Sequence, residues 1–242
     1  GEHDYTEHLV TSYANHHRHS CIGARAGFGD LLIGAGALMT EANGLDMATV
    51  PHLRDSMAEL IKLVEGFFAC GVAASVYGIE DPSGSWMPEP IFSNVGKLLL
   101  ATQIYDMHRI AHEVSGGLIV ALPGPDEDHN PATSGDLATL LAGRADIPYD
   151  QRMQVARFME DITASSTAGW YSVISLHGGG SPQAMKREIF RQYPIEERRQ
   201  LVERLLDRGV ADSGSSGAPA RQKQPGQCCA EGCQPTAPPS ES

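Results

Sequence analysis

Apolar residues recur at three- and four-residue steps along most of the chain, which is the spacing of helices with one buried face. The first such pattern runs from about His8 to Ala42 and is followed by Asn-Gly at 43–44, a pair that typically ends a helix. The second pattern has Thr49 as its predicted N-cap and Pro51 in its first turn. Its apolar stripe, which we assign to the core, consists of Leu60, Leu63, Val64, Phe67 and Phe68.

Further helices are predicted downstream, and no part of the sequence predicts a sheet. The predicted helices span about 91–114, 148–168, 182–192 and 194–208. Between the first two of these, residues 116–136 are predicted to be an ordered loop whose apolar run is too short to found a sheet. We therefore expect an all-α fold, with residues 1–210 forming one helical bundle domain. From Asp212 onward the chain is rich in Ser, Gly, Pro and Gln, so the tail 211–242 is predicted to be disordered.

The first helix is unusually rich in small residues. It contains Gly23, Gly27, Gly29, Gly34 and Gly36, and each interior glycine costs a helix about 1 kcal/mol relative to alanine. Such a density indicates either a backbone that neighbouring helices approach closely or a helix that is broken.

Charge and composition limit the classes of partner. The net charge of −12 and the absence of a basic stretch predict no nucleic-acid partner. No run reaches about 18 consecutive apolar residues, so we also expect no membrane partner. The first residues lack a signal-peptide pattern, and the five cysteines form no disulfide framework, which favours a reducing cytoplasm. The chain has no starting methionine, which indicates either a missing upstream part or a removed initiator.

The run HHRHSCIGA, residues 16–24, crowds histidines and a cysteine together. On a helix, His17, Cys21 and Ala24 share one face. Imidazole and thiolate one turn apart can bind a soft metal, but alanine cannot ligate. His16 and His19 lie off that face and are predicted to be surface histidines. The tail run CCAEGC, 228–233, offers three thiols where four ligands are usual, so we predict free thiols there and no metal site.

Two glycine-rich runs are candidate binding elements. In HGGGSPQA, 177–184, the glycines let backbone groups approach an anion or a flat ring, and Ser181 with Pro182 can open a helix. A tight helix-to-helix turn explains the same run. In HEVSGGLIV, 112–120, Gly116 and Gly117 predict a helix end, and alone they indicate only a C-cap.

Taken in order, four runs carry a resemblance: residues 13–44, 59–75, 113–124 and 175–187. They resemble the C-terminal half of a flavoenzyme family that contains 4-hydroxyphenylacetate 3-hydroxylase and 4-hydroxybutyryl-CoA dehydratase, the latter also a vinylacetyl-CoA isomerase. The resemblance covers about residues 10–210 and is closer to the dehydratase branch. It implies a helical bundle like the C-terminal domain of acyl-CoA dehydrogenases. It also implies that FAD binds between this bundle, an N-terminal helical part, a small β-domain and a neighbouring subunit. It also implies a homodimer or homotetramer, and a separate N-terminal-half chain if the polypeptide is naturally split.

In the dehydratase branch, the counterpart of the first helix carries a histidine, then a tyrosine four residues later, then a cysteine three residues after that. Its histidine and cysteine ligate a four-iron–four-sulfur cluster. Here His17 keeps the histidine place, Cys21 takes the tyrosine place and Ala24 takes the cysteine place. A catalytic glutamate of that branch is Ile174 here. The resemblance therefore implies that the cluster and the dehydratase activity are lost, unless Cys21 ligates from one turn earlier.

The resemblance also implies the site residues. We expect FAD near Gly116 and Gly117, with His177, Gly178, Ser181 and Gln183 lining the same region. Acid–base work would fall to His17 or His177, since histidine is the side chain best suited to proton transfer near neutral pH. For His177, capping of a turn is an equal alternative.

Three reaction classes stay open. The first is a flavin-dependent oxidoreductase, such as a monooxygenase on a phenol-like or CoA-linked substrate, which needs no cluster. The second is a lyase or isomerase on a hydroxyacyl- or enoyl-CoA, opposed by Cys21, Ala24 and Ile174. The third is a non-catalytic scaffold subunit. We rank them in this order.

Overall fold

The fold is a bundle of helices around three long ones, as seen in a computed structural model that describes residues 2–208. The long helices are α1 (His3–Ala42), α2 (Pro51–Val76) and α3 (Pro90–Val114). The remaining elements are strands β1 (Ile79–Glu80) and β2 (Trp86–Met87) and helices α4 (Pro125–His129), α5 (Ser134–Leu140), α6 (Tyr149–Thr163), α7 (Ser166–His177), α8 (Pro182–Gln192) and α9 (Ile195–Arg208). The all-α prediction is confirmed. The predicted disordered tail and its cysteines lie outside the described residues.

The core forms where α1, α2 and α3 meet. Ile22 of α1 lies against Gly71 of α2, and Gly36 lies against Met57, so α2 runs antiparallel to α1. A Cβ atom placed on Gly29 would lie 2.5 Å from a methyl carbon of Val64, which is closer than real side chains approach. Helix α1 is continuous over its whole length. Gly29 and Gly36 therefore serve close helix packing, whereas Gly23, Gly27 and Gly34 face open space, and the broken-helix alternative is wrong.

One predicted core residue of α2 is not in the core. Leu60, Leu63, Val64 and Phe67 are buried as expected, but Phe68 is 42% exposed. The reason is geometric, because Phe68 follows Phe67 by about 100° around the helix and so points away from α1 and α3. The start of α2 also differs by one residue, since Val50 and not Thr49 occupies the N-cap position.

The segment predicted as one helix over 148–168 is two helices. Helix α6 ends at Thr163, and Ser165 begins α7 by accepting a hydrogen bond from the Ala168 N–H at 3.1 Å. The predicted loop 116–136 contains a short 3₁₀ helix at 118–121 as well as α4 and the start of α5. In the Pro-rich loop before α3, Ile79 pairs with Met87 in a two-stranded antiparallel ribbon.

Helix α1 bears on the expectation of no membrane partner. One 18-residue window of it is apolar enough to cross a membrane by length and composition, and 28% of that window is buried in the fold. The count of consecutive apolar residues missed this window because small and polar residues interrupt it. The buried side chains Ile22, Leu32 and Met39 pack α1 into the core. The absence of a membrane partner stays a prediction.

Candidate functional site

A cleft of about 580 Å³ opens between α1 and the turn that follows α7. One wall is the face of α1 from Val10 to Arg25, and the other consists of Ile174 and the glycines 178–180. We call it the α1–α7 cleft. The run of histidines and cysteine at 16–24 and the glycine-rich run at 177–184 therefore meet in space, although about 160 residues separate them.

His17 and Cys21 point into this cleft together. The Cys21 Sγ atom lies 3.8 Å from the His17 Nδ1 atom, and the ring of Tyr13 stacks on the imidazole with centroids 5.9 Å apart. Ala24 is exposed on the next turn and can bind nothing. Among residues 2–208, no group of three or more His, Cys, Asp and Glu side chains is arranged to hold a metal ion.

The glycine turn closes directly over His17 and Arg18. Gly179 has a φ of +78° and Gly180 a φ of +107°, both in the region that favours glycine. A Cβ atom on Gly179 would lie 2.7 Å from His17 Nδ1. The guanidinium of Arg18 donates through Nε to the Gly179 carbonyl at 2.9 Å. Glycine is thus required here by both backbone conformation and space.

The other predicted residues of this run lie around the turn. His177 is the exposed last residue of α7, and its side chain is not part of the cleft wall. Ser181 is the N-cap of α8, where its Oγ accepts from the Ala184 N–H at 3.3 Å. Gln183 is exposed in the first turn of α8. Of the residues predicted from this run, only Gly178 lines the cleft beside His17.

Positively charged side chains lie at the cleft, and they were not predicted from the sequence. Arg18, although only 7% exposed, lines the cleft, as does Arg25. Lys97 of α3 is fully buried behind the cleft wall, and its Nζ donates to the Ser175 carbonyl at 2.5 Å. Two signals were available: Arg18 and Arg25 are seven residues apart and so share a helix face with Cys21, and Lys97 interrupts the apolar stretch of α3.

Burial lowers the pKa of two of these cations, Lys97 and Arg18. It lowers the pKa of Lys97 to about 8, an effect that the nearby Cys21 opposes and that Arg25 and Arg18 reinforce. Burial also lowers the pKa of Arg18, while Glu188 acts in the opposite direction. At neutral pH the cleft therefore keeps its positive charge at a cost in desolvation.

Gly117 lines a second pocket, of about 650 Å³, on the other side of α7. His108 and His112 of α3 also line it. Burial, with His112 as a second cause, lowers the pKa of His108 to about 4, and its Nε2 has no hydrogen-bond partner within the described part of the chain. The His112 Nε2 atom lies 2.7 Å from Thr163 Oγ1.

Gly116 and Gly117 end helix α3 beside this second pocket. Their φ values are +81° and +73°, and their N–H groups donate to the carbonyls of Glu113 and His112. A Cβ atom on Gly117 would meet nothing. The structure therefore separates the two glycine runs that we expected to line one region: Gly117 and Gly178 belong to different pockets along α7.

The chain is an all-α domain whose α1–α7 cleft brings His17 against the glycines 178–180. Comparison with known proteins identifies its family. The profile of the 4-hydroxyphenylacetate 3-hydroxylase C-terminal family matches residues 6–207. Over 212 residues the chain is 32% identical to the 4-hydroxybutyryl-CoA dehydratase/vinylacetyl-CoA-Δ-isomerase of Clostridium aminobutyricum, covering 84% of this chain and 43% of that protein. The chain belongs to the 4-hydroxyphenylacetate 3-hydroxylase family.

Solved structures agree with this assignment. An oxygen-tolerant archaeal 4-hydroxybutyryl-CoA dehydratase from N. maritimus superposes with a TM-score of 0.80 at 31% identity, over 92% of this chain and 43% of that chain. The oxygenase component of 4-hydroxyphenylacetate 3-monooxygenase, complexed with FAD and 4-hydroxyphenylacetate, gives a TM-score of 0.74 at 20% identity, over 84% of this chain and 42% of that chain, and so supports the fold alone. The chain thus spans less than half the length of these relatives.

Proposed function

We propose that this chain supplies the helical, FAD-contacting part of a flavin-dependent oxidoreductase, of the monooxygenase kind, in the cytoplasm. The observation that carries the proposal is the content of the α1–α7 cleft. It retains His17 but has Cys21 and Ile174 where the dehydratase branch needs a tyrosine and an acid. Ala24, one turn beyond Cys21 on α1, takes the place of that branch's cluster ligand. Monooxygenation by reduced flavin needs none of those three groups.

The residues present fit a flavin cofactor. Gly178 in the cleft wall and Gly117 in the second pocket expose backbone that a flat ring can approach closely. The N-terminus of α8, capped by Ser181, favours phosphate oxygens, with Gln183 beside it. Gly116 and Gly117, Gly178, Ser181 and Gln183 are therefore our candidate FAD contacts. When bound, FAD supplies the two electrons with which one oxygen atom of O₂ enters the substrate and the other leaves as water.

His17 is our candidate acid–base residue. Its ring is fixed between Tyr13 and the glycine turn, and its Nδ1 faces Cys21 in the cleft. A fixed imidazole there can take a proton from a substrate hydroxyl and return it. His177 is exposed at the end of α7, which suits capping of the turn as well as proton transfer.

A CoA-ester dehydratase or isomerase is the second candidate, favoured by the 32% identity to a dehydratase. Against it, Ile174 can neither give nor take a proton, and Ala24 cannot supply the cluster ligand that the dehydratase branch has at this position. The third candidate, a scaffold subunit, is favoured by the length of the relatives, since the chain spans 43% of the dehydratase. The rest of the active site would then belong to another chain or to another part of the polypeptide.

The test is a single-turnover experiment. The full chain is first assembled with a protein region that corresponds to the N-terminal half of the relatives, which this chain does not span. The assembly is loaded with reduced FAD and mixed with ¹⁸O₂ and either phenolic or CoA-linked substrates. We expect one ¹⁸O atom in a phenolic or CoA-linked product, and a large loss of rate in His17→Ala but not in Cys70→Ala, where the cysteine lies on α2. Conversion of a hydroxyacyl-CoA to an enoyl-CoA without oxygen would instead establish the second candidate. If the substrate stays unlabelled and the His17→Ala variant turns over at the wild-type rate, only the scaffold-subunit candidate would remain.

A further inference from the structure

The cations of the α1–α7 cleft differ from most others in the molecule in having no carboxylate partner. Among the described residues 2–208, seven other arginines form ion pairs with Asp or Glu, although the chain carries a net charge of −12. Within residues 2–208, Arg18, Arg25 and Lys97 form no ion pair with any carboxylate. The nearest acid to act on Arg18 is Glu188, which itself pairs with Arg191 at 2.8 Å.

The position of Arg25 is fixed by two neighbours from α7. Its guanidinium carbon lies 3.8 Å from the centre of the Tyr171 ring, and Nε donates to Ser175 Oγ at 2.6 Å. Stacking and this hydrogen bond fix the plane of the guanidinium, which also interacts with the Tyr171 side chain and lines the cleft. Two parallel N–H groups match the two oxygens of a carboxylate.

Arg18 and Lys97 add charge on either side of Arg25. Arg18 is anchored by Gly179 O and by Asn94 Oδ1, the latter at 2.7 Å, and neither anchor is charged. Lys97 has one neutral partner, the Ser175 carbonyl. Buried charges without counter-ions are costly, so a bound anion would stabilise this arrangement.

We propose that the α1–α7 cleft contains an anion subsite in which Arg25 binds the carboxylate of a small organic acid and Arg18 and Lys97 supply additional positive charge. This rests on the proposed function in treating the cleft as the substrate site. A carboxylate fits because its two oxygens can accept from one planar guanidinium, and the test below distinguishes it from phosphate, which the same group can also bind. The subsite makes Arg25 a specificity residue, since a neutral analogue of the same acid would lack its main polar contact.

The full 242-residue chain contains its own probe, because Cys21 lies in the cleft between Arg18 and Arg25. Iodoacetate carries a carboxylate and iodoacetamide does not, and with each reagent the cysteine sulfur displaces iodide. Cys70 on α2 is an internal control, and mass spectrometry resolves the two sites. We expect the ratio of iodoacetate to iodoacetamide rates to be about tenfold higher at Cys21 than at Cys70. Phenylacetate should protect Cys21 from iodoacetamide better than phosphate does.

Three variants complete the test. Arg25→Gln should lower the Cys21 ratio severalfold toward that of Cys70 and abolish protection by phenylacetate, while Arg25→Lys should retain more of the ratio. Arg152→Gln is the matched control, since Arg152 is bonded to Asn43 and Leu141 away from the cleft, and it should change neither result. Equal ratios at the two cysteines, no reaction at Cys21, or better protection by phosphate would each overturn the proposal. Labelling needs no flavin and no turnover, so it can fail while the proposed flavin chemistry stands, or succeed while that chemistry fails.

Discussion

At the scale of single residues, the glycine turn after α7 fixes where His17 can lie. Gly179→Ala adds a Cβ atom 2.7 Å from His17 Nδ1 at a φ of +78°. We predict that it lowers the free energy of unfolding by about 1–2 kcal/mol, because alanine is strained in this conformation. Urea unfolding measures this, with Gly66→Ala as control, since a Cβ atom there meets nothing. Equal stability of the two variants would show that the turn does not constrain His17.

Lys97 makes stability depend on pH. Its pKa is about 8 in the folded chain and 10.5 as the ordinary value, so between these pH values the unfolded chain holds more protons than the folded chain. The free energy of unfolding should therefore rise with pH across this window, by up to about 3 kcal/mol from this group. Lys97→Met lacks this contribution and should be at least as stable as the wild type at pH 7.

The measurement is urea unfolding from pH 7 to 10, taken as wild type minus Lys97→Met. This difference should increase from about pH 8 upward. Lys62→Met, at an exposed lysine on α2, is the control for the loss of a lysine as such. A flat difference for Lys97→Met would mean that its ammonium group is not desolvated.

Part of the candidate site could be predicted from residues alone. His17 and Gly178 came from two unusual runs, and the resemblance indicated that they belong to one site. Arg25 and Lys97 were missed because charged residues on helices usually face solvent, and only the packing of α7 against α1 and α3 reveals that both reach Ser175. Sequence spacing carries no information on contacts between residues that are 78 or 150 positions apart.

At the scale of elements, close contact between α1 and α2 depends on particular glycines. Gly29→Ala would place a Cβ atom 2.5 Å from Val64 and should cost about 1–3 kcal/mol through overpacking. Gly27→Ala, two residues away, meets nothing and should be neutral or stabilising by up to about 1 kcal/mol. Thermal and urea unfolding of the pair check this. If Gly29→Ala were as stable as Gly27→Ala, close packing against Val64 would not explain the glycine at position 29.

The long helices could be predicted because their apolar periodicity extends over many turns. The boundary between α6 and α7 was missed, since the Ser-Ser at 165–166 that allows Ser165 to cap α7 also fits the end of one longer helix. The pairing of β1 with β2 could not be predicted, because strands of two residues have no measurable alternation. Local signals thus define long elements well and short ones poorly.

At the scale of the whole molecule, α2 presents an apolar stripe that the fold does not cover. Ile61, Phe68, Val72 and Val76 lie on one helix face and are 42–52% exposed. We predict that this stripe contributes to a dimer or tetramer, and that Phe68→Glu shifts the sedimentation mass toward the 25.9 kDa monomer. Lys62→Glu, off the stripe, should leave the mass unchanged. A monomeric wild type in dilute solution would contradict this.

Above all, we propose that the chain completes an FAD site that has no iron–sulfur cluster. The most direct measurement is the flavin and iron content of the full chain, assembled without oxygen with the protein region that completes the relatives' length. We predict stoichiometric FAD and no iron, since Ala24 takes the place of a cluster ligand. Iron and sulfide in the amounts of a four-iron–four-sulfur cluster, or a complete assembly without flavin, would contradict it.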